Sequence, residues 1–359
     1  MKIYYLSFIL IALSCSTSHK KAIDTITINY DDTKDFPLST FIQTYDIIRL
    51  ASSDSILTGE ISDIEFYNDH IFILDKKNNN LQIFNLKGEF TRQLSKTGRG
   101  PGEYLYLNDI EVNSQGIYLL DYSQQKIILY DFELHFQKEF HFPFYASEFR
   151  CINDNLIIYT EKNGEKEDYQ FYLTDNNGQT RNKYLPRNIN QGNNTFVSSN
   201  VFTRNDNRFI LSPRYGNTLY TLKDTTLLPL YTLDFKDKTL PENHTDITQH
   251  DISSNKFPYI TRRHVFLCKE NLLIDYINQD NRYFYHYNTH TRESQNGQIV
   301  NDLIPAFRFF PRFAKNNKII DWIDAASLLE YFPQVVLAHP ILHDLKENDN
   351  PVLFIYHPK

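Results

Sequence analysis

Apolar and polar positions between Asp63 and Phe136 follow one pattern twice, 46 positions apart and without a gap. Asp63-Ile64-Glu65 returns as Asp109-Ile110-Glu111, Ile71-Phe72-Ile73-Leu74-Asp75 as Ile117-Tyr118-Leu119-Leu120-Asp121, and Leu81-Gln82-Ile83-Phe84-Asn85 as Ile127-Ile128-Leu129-Tyr130-Asp131. Of the 28 aligned pairs, 7 are identical and another 7 exchange one apolar side chain for another, which chance alignment rarely gives. Each copy alternates short apolar runs with polar turns, and this predicts strands. A period in the forties built from such runs is that of a β-propeller blade.

The same reading extends along the chain in weaker form. Residues 156–159 and 169–173, with Asn177-Gly178 as a hairpin turn, predict a third blade. Residues 209–211, 218–222 and 230–233 predict a fourth, and 265–267, 272–276 and 283–287 a fifth. An alternating run at 25–30 and a second apolar run at 47–50 open the chain, and a continuous apolar run at 351–356 ends it. A ring left open would expose unpaired edges, so the two ends are expected to share a blade, giving a closed six-bladed all-β propeller. Asp75 and Asp121 close strands ahead of polar turns, and their recurrence suits turn stabilisation better than catalysis. Two stretches break the strand pattern: a polar connection at 237–255, and residues 324–331, helix formers stopped by Pro333 and expected as an insertion in the last blade.

The first residues read differently. Lys2 and an apolar run at 3–13 end in Ala12-Leu13-Ser14-Cys15, too short for a membrane span of ~20 residues and suited to a signal peptide. Ser14-Cys15 resembles the lipobox of bacterial lipoproteins, although Ala12 stands where that family carries Leu. The resemblance implies cleavage before Cys15, lipidation of that residue, and attachment to a membrane through the lipid alone, since each buried methylene adds ~0.8 kcal/mol. The expected organisation is a signal peptide at 1–15, a tether at 16–24 and the propeller at 25–359. The tether lacks the acidic run that marks surface export in similar lipoproteins, which favours the periplasmic face of the outer membrane. Cys151 and Cys268, 117 positions apart, are expected as buried free thiols within strands, and the sequence does not show whether they meet.

Composition narrows the partners. Aromatic residues make up 15% of the chain, mostly Tyr and Phe, which pack well on pleated surfaces. A formal charge of −7 leaves no broad basic surface, so nucleic acid is not an expected partner. The chain is expected to act as a monomer.

The sharpest local motif is Gly98-Arg99-Gly100-Pro101-Gly102-Glu103-Tyr104. It lacks the Lys-Ser/Thr of a phosphate-binding loop and reads first as a tight crossover between blades, with Arg99 and Tyr104 near one mouth of the ring. Arg99, Glu103 and Tyr104, with His244 and His250 in the polar connection, are the candidate ligand-binding residues. His286 with His290, and His339 with His343, are spaced i, i+4 but lack the helical zinc signature and read as turn or surface residues. Asp234, Asp237, Glu242, Asp246 and Asp251 read as a solvated loop in preference to a calcium site. No metal and no cofactor is expected, and no nucleophile elbow is present.

The segment from Asp75 to Asp121, with its Asn-containing turn, Leu81-Gln82-Ile83-Phe84, Gly88 with Phe90 and the glycine-rich crossover, resembles the NHL repeat. More specifically it resembles bacterial six-bladed β-propeller lipoproteins, whose chains also end in an Asn-Pro-Val-Leu strand such as Asn350-Pro351-Val352-Leu353. The resemblance implies a six-bladed ring, export and a lipid anchor, but no reaction. The function read from the sequence is therefore a non-enzymatic module binding a small molecule, glycan or protein in the cell envelope. The alternative is a propeller enzyme, a lyase or hydrolase acting on a small molecule or glycan at the central channel.

Overall fold

A computed structural model describes residues 23–54, 56–160, 168–187, 200–205, 208–213, 216–241 and 257–359. Six sheets form the blades of a propeller. Blade one comprises Ile61–Tyr67, His70–Asp75, Asn80–Asn85 and Phe90–Leu94. Blade two repeats it with Leu107–Asn113, Gly116–Asp121, Lys126–Tyr130 and Phe136–His141, so the 46-residue echo is one blade laid beside its copy. Blade three runs from Ala146–Ile152 to Thr180–Pro186, blade four from Phe202–Arg204 to Thr226–Asp234, and blade five from Thr261–Cys268 to Ser294–Gly297.

Blade six is the seam. Phe313–Lys315, Lys318–Ile323 and Val352–Pro358 come from the end of the chain, and Ile42–Arg49 supplies the outer strand by antiparallel pairing with Val352–Pro358. The shared blade is thus built with the second apolar run of the N-terminal region. The first run goes elsewhere: Asp24–Thr27 adds in parallel to Thr226–Asp234 as a fifth strand of blade four. Its alternation is explained by that site, because Ile26 and Ile28 pack with Leu219, Leu233 and Phe235.

The core lies between neighbouring blades, where apolar faces meet as sheet on sheet. Leu74, Leu81, Tyr104, Leu107 and Ile110 join blades one and two, and Phe41, Phe309, Phe354 and Tyr356 help to seal blade six against blade five. Asp75 and Asp121 are wholly buried and tie each crossover to its turn. Asp75 accepts from Gly59 N and Glu60 N, and Asp121 accepts from Leu105 N and Ser123 N. Neither Cys151 nor Cys268 is in a disulfide among the described residues, the second being fully buried and the first partly so.

Between the second and third strands of blade six lies the helical insertion. Asp324 caps Ala325–Tyr331 by accepting from Ser327 N at 2.8 Å. The helix stops ahead of Pro333, which begins a second short helix, Pro333–Ala338. Among the described residues no helix is long and apolar enough to cross a membrane.

Candidate functional site

The first strand of each blade faces the axis, and on such a strand alternate side chains point inward. Blades one and two therefore present Asp63 with Glu65 and Asp109 with Glu111, all four buried. The answering cations come from other blades: Arg150 from blade three, Arg204 from blade four and Lys315 from blade six. Arg150 reaches Asp109 at 2.8 Å, Glu111 at 3.6 Å and Asp63 at 3.7 Å. Lys315 reaches Glu65 at 2.6 Å and Asp63 at 3.2 Å, while Arg204 reaches Glu111 at 2.8 Å.

Four carboxyl groups facing three cations would leave a buried negative charge, so the cluster is better satisfied with one proton retained. Burial pushes the Asp109 carboxyl well up, beyond what Arg150 offsets. Burial also works to raise Asp63, but Lys315, Arg150 and a hydrogen bond with Asp109 overcome it and hold Asp63 low. The opposite directions of the two shifts favour Asp109 over Asp63 as the carboxyl that keeps the proton. The free space among these groups, beside Phe202 and Asn316, is about 20 Å³. Since ~10–15 Å³ open to the centre of a water molecule is enough to hold one, this space has room for about one water. Among the described residues the axial acids and cations thus close around a space of about one water.

A larger cavity of about 340 Å³ lies in blade six, between the approach to its innermost strand and the helical insertion. Its lining includes Arg308, Arg312, Trp322, Ser327, Tyr331 and Phe332. The run Phe307-Arg308-Phe309-Phe310-Pro311-Arg312-Phe313 alternates cations with aromatic rings as it enters the blade. Three guanidinium groups stand over the Phe310 ring: Arg282 at 3.7 Å from its centroid, Arg308 at 4.5 Å and Arg312 at 5.4 Å. Arg312 also lies 4.3 Å from the Trp322 ring.

Their counter-charges are unequal. Asp275, fully buried, holds Arg282 by two bonds of 3.0 and 2.5 Å and also meets His264 at 3.0 Å. Asp321, equally buried, accepts from Phe310 N at 3.1 Å but stands 3.8 Å from Arg312 Nε, beyond hydrogen-bond reach. Burial raises the Asp321 carboxyl to about 7 despite the nearby arginines. Arg312 Nε, Asp321 Oδ1 and Trp322 Nε1 are all buried without a hydrogen bond among the described residues.

The residues singled out in the sequence fall elsewhere. Tyr104 is fully buried between blades one and two, its hydroxyl donating to Leu94 O at 3.0 Å and accepting from Lys96 N at 3.1 Å, so its side chain is core and not mouth. Glu103 folds back onto Gly100 N at 2.8 Å and stabilises the crossover turn. Gly102, at φ +73°, packs against Phe136, where any Cβ would collide with the ring. Arg99 is exposed on that loop. His244 and His250 lie outside the described residues. His286, expected in a turn, is instead a core histidine stacked on Phe41 at 4.7 Å and bonded to Asn271 Oδ1 at 2.8 Å, and burial lowers it to about 4. The axial acids were in plain view as the repeated Asp-x-Glu, and the blade-six arginines as a Phe/Arg run.

With that geometry in place, comparison with known proteins assigns the family. The chain belongs to a domain family of unknown function, DUF4934, whose profile covers residues 22–357. No curated protein matches it. Among solved structures it is similar to a Bacteroides fragilis protein named for its inferred export, at 20% identity and a TM-score of 0.76, covering 93% of this chain and 99% of that one. A DUF4221 family member from Bacteroides vulgatus follows at 10% identity and a TM-score of 0.54, covering 89% and 97%. These likenesses show the six-bladed propeller fold. A Staphylococcus aureus virginiamycin B lyase, at 12% identity, a TM-score of 0.44 and coverage of 77% and 80%, is too distant to bear on activity.

Proposed function

We propose that this protein is an exported, lipid-anchored propeller that binds a ligand without transforming it, and that the ligand seat is the blade-six cavity. The observation that carries this reading is the contrast between two spaces among the described residues. The axial acids are consumed by Arg150, Arg204 and Lys315 around about 20 Å³ of free space, whereas the blade-six cavity offers about 340 Å³ beside an arginine and aromatic rim. A cavity of a few hundred Å³ with aromatic walls and few convergent polar groups is what small-ligand sites require. Each of the four axial acids already has a cation within ion-pair distance, which favours a structural role for them over one in catalysis.

Ser327→Trp fills the cavity from the helix without touching the axis. In a thermal-shift screen of sugars and peptides, compounds that stabilise the wild-type protein lacking residues 1–15 are expected to lose their effect in this variant. Stabilisation that survives in Ser327→Trp but disappears in the axial variant Lys315→Met would refute the assignment. Anchoring has a separate test. Cys15→Ser is expected to move the protein from the membrane fraction of cells to the soluble one, and continued membrane retention would rule out the lipid anchor.

A further inference from the structure

The charge balance of the blade-six cavity points to a ligand class. Arg282 is neutralised by Asp275, but Arg308 makes no hydrogen bond or ion pair among the described residues, and the buried Arg312 Nε has Asp321 at 3.8 Å but no hydrogen bond. The nearest buried acid, Asp321, stays too far from Arg312 to bond to it. Asp324, also at the cavity, is exposed and directs Oδ1 to Ser327 N as the helix cap. Two guanidinium groups on the same ring repel each other, and Arg308 and Arg282 together with burial lower the basicity of Arg312. Such an arrangement is relieved by an anion that takes charge-assisted hydrogen bonds from both forks.

Resting on the reading of this cavity as the ligand seat, we propose that it recognises an oxyanion on the ligand, a carboxylate, sulfate or phosphate held between Arg308 and Arg312. The remainder of the ligand lies toward Tyr331 and Phe332. Asp321 makes recognition proton-linked. The groups facing it are Arg308, Arg312, the Tyr356 hydroxyl and the backbone amides of Phe310 and Trp322, and Tyr356 stays neutral because burial pushes its hydroxyl well up. With Asp321 protonated, Arg312 is free for the ligand. As pH rises through about 7, Asp321 ionises, competes for Arg312 and repels the anion, so affinity falls.

The test is calorimetric titration of the protein lacking residues 1–15 with sodium sulfate, inorganic phosphate, galacturonate and neutral galactose, each at constant ionic strength set by sodium chloride. At pH 6 at least one oxyanion is expected to bind saturably while galactose does not, and which one binds identifies the group. Arg308→Gln, which sacrifices no bond within the described fold, and Arg312→Gln should each weaken that binding by roughly tenfold or more. Between pH 6 and pH 8 the wild-type affinity should drop by roughly tenfold, and in Asp321→Asn it should stay level. Failure of all three oxyanions to bind, or binding indifferent to both arginine substitutions, overturns the proposal. A neutral ligand lost in Ser327→Trp but indifferent to the arginines would overturn the oxyanion while sparing the seat. Oxyanion binding that persists in Ser327→Trp would instead remove the seat itself.

Discussion

Replacing Arg150 with Met is expected to destabilise the protein by about 3–5 kcal/mol, because it leaves a buried cluster of acids without its central cation. Among the described residues Arg150 alone pairs with Asp63, Asp109 and Glu111 together, and it also donates to Phe149 O at 2.5 Å. Equilibrium denaturation at neutral pH should show the loss as a lower midpoint. The deficit should shrink in acid. In the wild type Asp63 is held below its ordinary value, so its stabilising share is present above pH 3.8 and lost as pH falls through its folded value. Without Arg150 the carboxyls of Asp109 and Glu65, which burial already raises, take up protons more readily, which restores neutrality at low pH. Asp109→Asn is the informative contrast. An amide can still accept from Phe149 N and Arg150 while donating to Asp63, as the protonated acid does, so the cost should be about 1 kcal/mol or less. A loss equal to that of Arg150→Met would contradict the placement of the proton.

A chain ending at Asp349 is expected to lose its single cooperative unfolding transition. The missing strand, Val352–Pro358, pairs on one side with Lys318–Ile323 and on the other with Ile42–Arg49, so its removal opens two edges and parts the N-terminal strand from the ring. Val352 to Tyr356 are each at most 2% exposed, which makes this strand one of the most completely buried in the molecule. Asn350 fastens its start by donating to Ala51 O and Ile56 O and accepting from Thr58 N at 2.7 Å. A milder probe is Phe354→Ala, which removes a ring stacked on Phe307 at 4.1 Å and should cost about 3–5 kcal/mol. Calorimetry would show a broadened or absent peak for the truncation and a shifted, still cooperative one for Phe354→Ala. A sharp transition in the truncated chain would mean that the ring does not depend on this closure.

The blades were legible because an alternating strand and its turn are local. Asp75 and Asp121 mark corresponding turns whether or not the neighbouring blade is known. The helical insertion was legible for the same reason: 324–331 carries its own cap and its own stop. The partner of a strand is not local. The 25–30 run had the right alternation but gave no sign that it would lie in parallel on blade four, where its register opposite Tyr231 to Asp234 is set by tertiary packing.

Function was hidden for a related reason. The repeated Asp-x-Glu is visible in the sequence only as part of the blade echo, and each acid acquires meaning only from a cation in another blade. Lys315 lies 252 positions from Asp63 and meets it only when the ring closes. The glycines around Arg99 mark a tight crossover expected to bring Tyr104 near a mouth of the ring, yet Tyr104 is consumed by the core. The blade-six cavity combines Arg308 and Arg312 with Trp322 and the insertion, and sequence alone marks the insertion as an irregularity without revealing the arginines folded over it.

Hydrogen–deuterium exchange with and without a bound ligand tests the central claim most directly. With an oxyanion that binds the wild type, slowed exchange is predicted in 308–312 and 322–332, and none in the axial strands Ile61–Tyr67 and Leu107–Asn113. Protection of those axial strands, with 308–332 unchanged, would place the ligand in the central channel and contradict the account of an ion-paired axis with the binding seat in blade six.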